Sequence, residues 1–111
     1  MLFRSVGGDF YHLFRLGGGR VGVLVGDASS HGYQAALIMA LTMSAMAIHA
    51  QKGGDPVATV AALLETIAGE LEGTEMFLAL CYAVIDPARG EIRWVNAGQP
   101  HCFVQIGRAH V

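Results

Sequence analysis

The sequence predicts an α+β domain: an antiparallel sheet with helices on a face, in the order ββααβββ. Three observations predict it. Short runs rich in β-branched and aromatic residues, punctuated by glycine turns, stand at both ends of the chain. Two helix-forming segments lie between them. The strands before the helices come as a pair, which suits hairpins better than the crossovers of a parallel sheet.

Taken in order, Asp9 to Leu16 (DFYHLFRL) has strand composition with imperfect alternation. Gly17-Gly18-Gly19 is a turn, and Val21 to Val25 is a short apolar strand, so the two read as a hairpin with a glycine loop. Asp27 to Gly32 is polar. A helix follows over about Tyr33 to Gln51, apolar all round and therefore expected to be mostly buried. Its Met39, Met43 and Met46 fall at helical spacing and read as core. Lys52-Gly53-Gly54 ends it, with glycine where a helix C-terminus wants it. Asp55-Pro56 restarts a helix, aspartate as N-cap and proline as first residue. Val57, Val60, Ala61, Leu64, Ile67, Ala68 and Leu71 make its apolar stripe, and Gly73-Thr74 closes it. Phe77 to Ile85 is a nearly unbroken apolar run, as in a strand buried on both faces. Asp86 to Gly90 is a turn, Glu91 to Val95 a half-buried strand that includes Trp94, Asn96-Ala97-Gly98 a second turn, and Cys102 to Val104 a third strand.

The 111 residues suit one small domain. The chain is 53% hydrophobic and 14% charged, with mean hydropathy +0.46. An average soluble domain is about 25% charged, so either most of this chain is buried or a larger domain leaves an apolar face of it uncovered. A net charge of −2 without basic runs argues against nucleic acid. Cys81 and Cys102 are far apart and read as reduced thiols in a cytoplasmic protein. The stretch Ala35 to Ala50 contains Thr42, Ser44 and His49 and falls short of the ~20 residues that span a bilayer. No membrane role is expected.

Two segments carry the chemistry: Val6-Gly7-Gly8-Asp9-Phe10-Tyr11 and Val25-Gly26-Asp27-Ala28-Ser29-Ser30-His31-Gly32. Each sets an aspartate beside glycine next to a strand. Were the two strands paired, both carboxylates could reach one site, and carboxylate oxygens are what hard divalent cations take. The plainer reading makes Asp9 a turn cap and Asp27 the N-cap of the following helix.

These motifs, followed by M-F-x-x-L-x-Y-x-V-I-D-x-x-x-G-x-I-x-W-V-N-A-G-x-P, resemble the metal-dependent serine/threonine protein phosphatases (the protein phosphatase 2C-like superfamily), in their bacterial SpoIIE/RsbU branch. The resemblance runs from Ser5 to about Val104. It implies a partial α-β-β-α sandwich of antiparallel sheets flanked by helices. It also implies hydrolysis of phosphomonoesters by a water bridging two Mn²⁺ or Mg²⁺ ions, with no nucleophilic side chain. By the same resemblance Asp9 and Asp27 are metal ligands, joined by the Ala28 carbonyl, while Gly7, Gly8 and Gly32 allow close approach. The substrate would be a phosphorylated regulatory protein, such as an anti-sigma-factor antagonist, with a sensor domain upstream.

The chain departs from the family in four places: His12 where an acidic residue is usual, Ser30 for glycine, Gln99 for histidine, and the neighbourhood of Ala79, near which a threonine is usual. Further metal aspartates would follow the N-A-G-x-P segment. Ile106 to Val111 is unlike family sequence and reads as translated sequencing-adapter DNA. Residues 1–105 are therefore expected to be the N-terminal portion of a phosphatase domain, and 106–111 a non-native tail. Such a fragment is expected to be inactive. A non-catalytic regulatory or interaction module is the competing reading. His31 is expected to order its loop, and His12, His49 and His101 lack zinc spacing.

Overall fold

The computed structural model of the chain describes residues 3–6, 9–28, 32–52, 55–71, 78–99 and 103–110. Six strands form one antiparallel sheet in the order of the chain: β1 (Phe3–Val6), β2 (Asp9–Arg15), β3 (Val21–Ala28), β4 (Leu78–Asp86), β5 (Glu91–Gln99) and β6 (Phe103–His110). Helices α1 (Gly32–Ala50) and α2 (Pro56–Leu71) fall between β3 and β4. The α+β class and the sequence order are therefore as expected, with one addition: β1, a four-residue strand pairing only with β2. The second sheet of a sandwich is not formed among the described residues.

Glycine shapes the hairpins. Gly18 and Gly19 take φ of 71° and 76° in the turn between β2 and β3, a region closed to most side chains. Gly90 does the same in the β4–β5 turn, at φ 60°. The second helix is capped as its sequence requires: Asp55 Oδ1 accepts the Val57 N–H at 3.1 Å, and the Asp55 carbonyl accepts the Thr59 N–H at 2.9 Å. Gly53, Gly54, Gly73 and Thr74, expected to end the helices, lie outside the described residues, as do Phe77 and Cys102.

Both helices cover the same face of the sheet, α1 over β2 and β3, α2 over β4 and β5. That face supplies Phe10, Phe14, Leu24, Leu80, Tyr82 and Val95 to the core, against Met39 and Met46 of α1 and Leu63 and Ile67 of α2. The methionine stripe is core, with Met43 partly buried beside it. Thr42, fully buried, satisfies its hydroxyl on the Ile38 carbonyl at 2.7 Å. His49 Nε2 meets Thr66 Oγ1 at 3.1 Å and links the two helices. The apolar stripe of α2 is rotated from its expected position: Thr59 and Leu63 are buried and Ala61 is exposed. Alanine fits either side of such a stripe, so the larger leucine decides.

Three strand readings change. The N-A-G segment is not a turn: Asn96, Ala97 and Gly98 continue β5, opposite Cys81, Leu80 and Ala79. β4 is not equally buried on both faces; Leu78, Leu80, Tyr82 and Val84 are buried under the helices, while Ala79, Cys81, Ala83 and Ile85 are intermediate. Val25, on that second face, is 50% exposed. β6 extends to His110 and so includes residues 106–110 of the expected tail. Arg108 Nε donates to Glu91 Oε2 at 2.8 Å, and Glu91 is 6% exposed.

On the covered face, two glycines of β3 leave room for large side chains of the neighbouring strands. A Cβ on Gly26 would sit inside contact distance of the Phe10 ring, and one on Gly22 would stand 2.6 Å from the Tyr82 hydroxyl. No described helix is long and apolar enough to cross a membrane.

Three outcomes follow from this packing. Gly26→Val should destabilise the chain by about 1–3 kcal/mol through overpacking, read as a lower urea midpoint. Arg108→Ala should cost about 1–3 kcal/mol by leaving the buried Glu91 carboxylate without its partner; a tail without a structural role would leave the midpoint unchanged. Burial pushes the Tyr82 hydroxyl up to about 12 from its ordinary 10.0. The folded state thus favours the neutral phenol, so stability present below pH 10 should fall as the pH rises from 10 towards 12. Tyr82→Phe should blunt that fall in urea melts taken across the range.

Candidate metal centre

The β2–β3 ladder decides whether the two aspartate motifs can act together. Its register sets Asp9 directly opposite Asp27, at the end of the hairpin away from the glycine turn. Directly opposed positions in an antiparallel pair have Cβ atoms about 4.5–5.5 Å apart, and like charges there are destabilising. Two aspartate positions at such a pair are placed so that one cation could serve both. Asp27 is exposed, so an ion could reach it from solvent.

The ladder continues sideways. Ala79 stands opposite Asp27 on β4, and Gly98 opposite Ala79 on β5. At about 4.8 Å per strand, Gly98 is roughly 10 Å from Asp27 along this row. The N-A-G segment therefore reaches the end of the sheet that carries both aspartates. Sequence reasoning treated this segment as a separate turn. The signal that could have joined them is a count: equal strand lengths from the β4–β5 turn bring Gly98 level with Ala79.

The departures separate in space. Ala79, near which the resemblance expects a threonine, stands opposite Asp27 on the neighbouring strand. His12 is paired with Leu24, a position of the helix-covered face, and its ring lies 4.6 Å from that of Phe14. Burial lowers its pKa and disfavours the imidazolium. Alternation along β2 thus directs position 12 away from the face of position 27. Gln99 is the last residue of β5. Gly32 is the first residue of α1, and Ala28 ends β3 with its side chain buried. Gly7, Gly8, Ser30, His31 and His101 lie outside the described residues.

Two opposed aspartates suit a hard ion in charge and donor type. Among the described residues, no group of three or more His, Cys, Asp and Glu side chains converges to hold a metal. The donor set therefore fits one edge of a metal site, Asp9 and Asp27 being the residues that could hold it.

Comparison with known proteins bears on the family and the fold. Protein IcfG of a Synechocystis strain is 28% identical over 127 aligned residues, covering 91% of this chain and 20% of its own length. The RsbU and RsbW domains of Rv1364c from Mycobacterium tuberculosis superpose with a TM-score of 0.71 at 26% identity, over 85% of this chain and 26% of that one. The SiaA-PP2C domain of Pseudomonas aeruginosa superposes with a TM-score of 0.77 at 19% identity, over 99% of this chain and 55% of that one, a likeness of fold. The chain thus spans about a fifth of IcfG and a quarter of the Rv1364c chain. The family model of Stage II sporulation protein E matches residues 17–110, which hold β3 to β6 and both helices, and the chain belongs to the SpoIIE family.

Proposed function

We propose that this chain is part of a metal-dependent protein serine/threonine phosphatase, with Asp9, Asp27 and the Ala28 carbonyl as metal ligands for Mn²⁺ or Mg²⁺. The observation that carries the reading is the Asp9–Asp27 pairing in a member of this family. Bound ions would supply an acidified water and offset the charge of a phosphoryl group. The chain's own part is to hold its two carboxylates level at one sheet end, on a ladder that the covered face keeps in register. Such positioning is most of what phosphoryl transfer asks of a protein. The remaining ligands would come from sequence after Gln105, in a natural protein of which residues 1–105 are the N-terminal portion. The substrate proposed is a phosphoserine or phosphothreonine on a bacterial regulatory protein such as an anti-sigma-factor antagonist. The RsbU and RsbW domains in the M. tuberculosis neighbour support that class by analogy.

A second reading, a non-catalytic regulatory module, has one observation in its favour. The family usually has a threonine near Ala79, and Ala79 stands directly opposite Asp27. The natural protein should hydrolyse p-nitrophenyl phosphate with Mn²⁺, and Asp27→Ala should remove that activity. The same substitution should weaken Mn²⁺ binding measured by electron paramagnetic resonance. Metal-independent hydrolysis, or full activity in the variant, would overturn the phosphatase reading. Mn²⁺ binding without turnover would favour the module.

A further inference from the structure

The opposite end of the sheet holds a cleft that the phosphatase reading does not use. It has a volume of about 440 Å³ and lies between the glycine turn after β2, the start of α2 and the β4–β5 turn. From Asp27 it is the length of β3 away, about 20 Å at ~3.3 Å per residue. Its walls gather three of the chain's seven Lys and Arg residues from three separate elements: Arg20, Arg89 and Arg93.

The acids of this cleft are already engaged. Asp55 caps α2 and receives Arg93 Nη2 at 3.1 Å. Glu91 is held by Arg108, from outside the cleft wall. Asp86 Oδ1 accepts the Arg89 backbone N–H at 3.3 Å, and its other oxygen is 3.8 Å from Arg89 Nε, a loose contact on an exposed side chain. Arg20 differs from the other arginines. Its Nε donates to the Gly17 carbonyl at 2.9 Å, which fixes the plane of the guanidinium. Its two terminal nitrogens make no hydrogen bond to any described residue. Gly18 forms the cleft wall beside it without a side chain, so the approach is unobstructed. With Glu91 neutralised by Arg108, the cleft carries one positive charge in excess.

We propose that this cleft is an anion-binding site for a phosphate or carboxylate group, seated on the Arg20 fork with Arg89 and Arg93 at its sides. A guanidinium held in one plane with two free donors matches two oxygens of such a group and loses little rotamer freedom on binding it. The group comes either from a free small anion or from an anionic side chain of a protein.

The test uses the 111-residue chain in EDTA at low salt, so it is independent of metal chemistry. Inorganic phosphate and a phosphoserine peptide are titrated separately, followed by amide chemical shifts and calorimetry. Saturable binding is expected, with shifts at Gly18, Arg20, Arg89 and Gly90 and none at Ala79 or Gly98. Arg20→Gln should weaken it about tenfold or more, as loss of a charged bidentate contact does. Arg20→Lys should recover part of the affinity, and Lys52→Gln should leave it unchanged. Arg89→Gln, at an exposed turn position, gives the same reading should Arg20→Gln lose its fold. Tighter binding of the peptide than of phosphate identifies a protein-borne group; the reverse identifies a free anion. The proposal is overturned by no saturable binding of either probe, by shifts confined to the Asp27 end, or by arginine variants that bind like the parent.

Discussion

The register between β2 and β3 is the constraint on which the other features depend. Side chains alternate across a strand with period two, so a slip of one residue would exchange every face at once. Leu24 and Ala28 would leave the core, and Val23 and Asp27 would enter it. The present register puts Phe10 over Gly26, where the absence of a Cβ admits its ring, and Gly22 leaves the same room for the Tyr82 ring of β4. Gly26, next to Asp27, thus acts on the other face of the sheet from that aspartate. Gly26 fixes the height of Phe10, and through it the level at which Asp27 meets position 9. Core packing and the spacing of the candidate ligands are set by one ladder.

The two ends of the sheet have different electrostatic characters. At one end the register sets two aspartate positions opposite each other across a hairpin. At the other, Asp55 and Glu91 are each matched by an arginine from a separate element, joining the α2 cap to β5 and β5 to β6. The exposed Asp55–Arg93 pair contributes little to stability by itself, since such pairs are worth about 0–1 kcal/mol. Its effect is geometric, fixing where α2 begins over β5.

Much of this was legible in the residues. The N-cap and proline of α2, the glycine turn after β2 and the methionine core of α1 follow from local rules that tertiary contacts did not override. The aspartate pair was legible as a conditional: it required a hairpin, and the hairpin had a loop signal. What escaped depended on partners distant in sequence. Nothing near Asn96 shows that β5 continues past it, because its pairing with Cys81 decides that. The alternation of Glu91 to Val95 reads as polar-out, yet Glu91, Arg93 and Val95 share the helix-covered face. Arg108 and Asp55 supply the counter-charges that allow it, and neither is near in sequence. β1 was missed because four residues carry too short a pattern.

The strictly sequential strand order has a consequence for how the chain reaches this state. Five ladders join neighbouring strands, and four of them close through short connections. The β3–β4 ladder instead must close over residues 29–77, the stretch that contains both helices. Closure entropy grows with the logarithm of loop length, so this is the costliest pairing to nucleate. The chain is therefore kinetically two halves, β1–β3 and β4–β6, each able to zip locally while the helices mature between them. The Asp9–Asp27 pair lies wholly within the first half and can form before the halves dock. The row that runs from Asp27 through Ala79 to Gly98 is completed only when the halves dock.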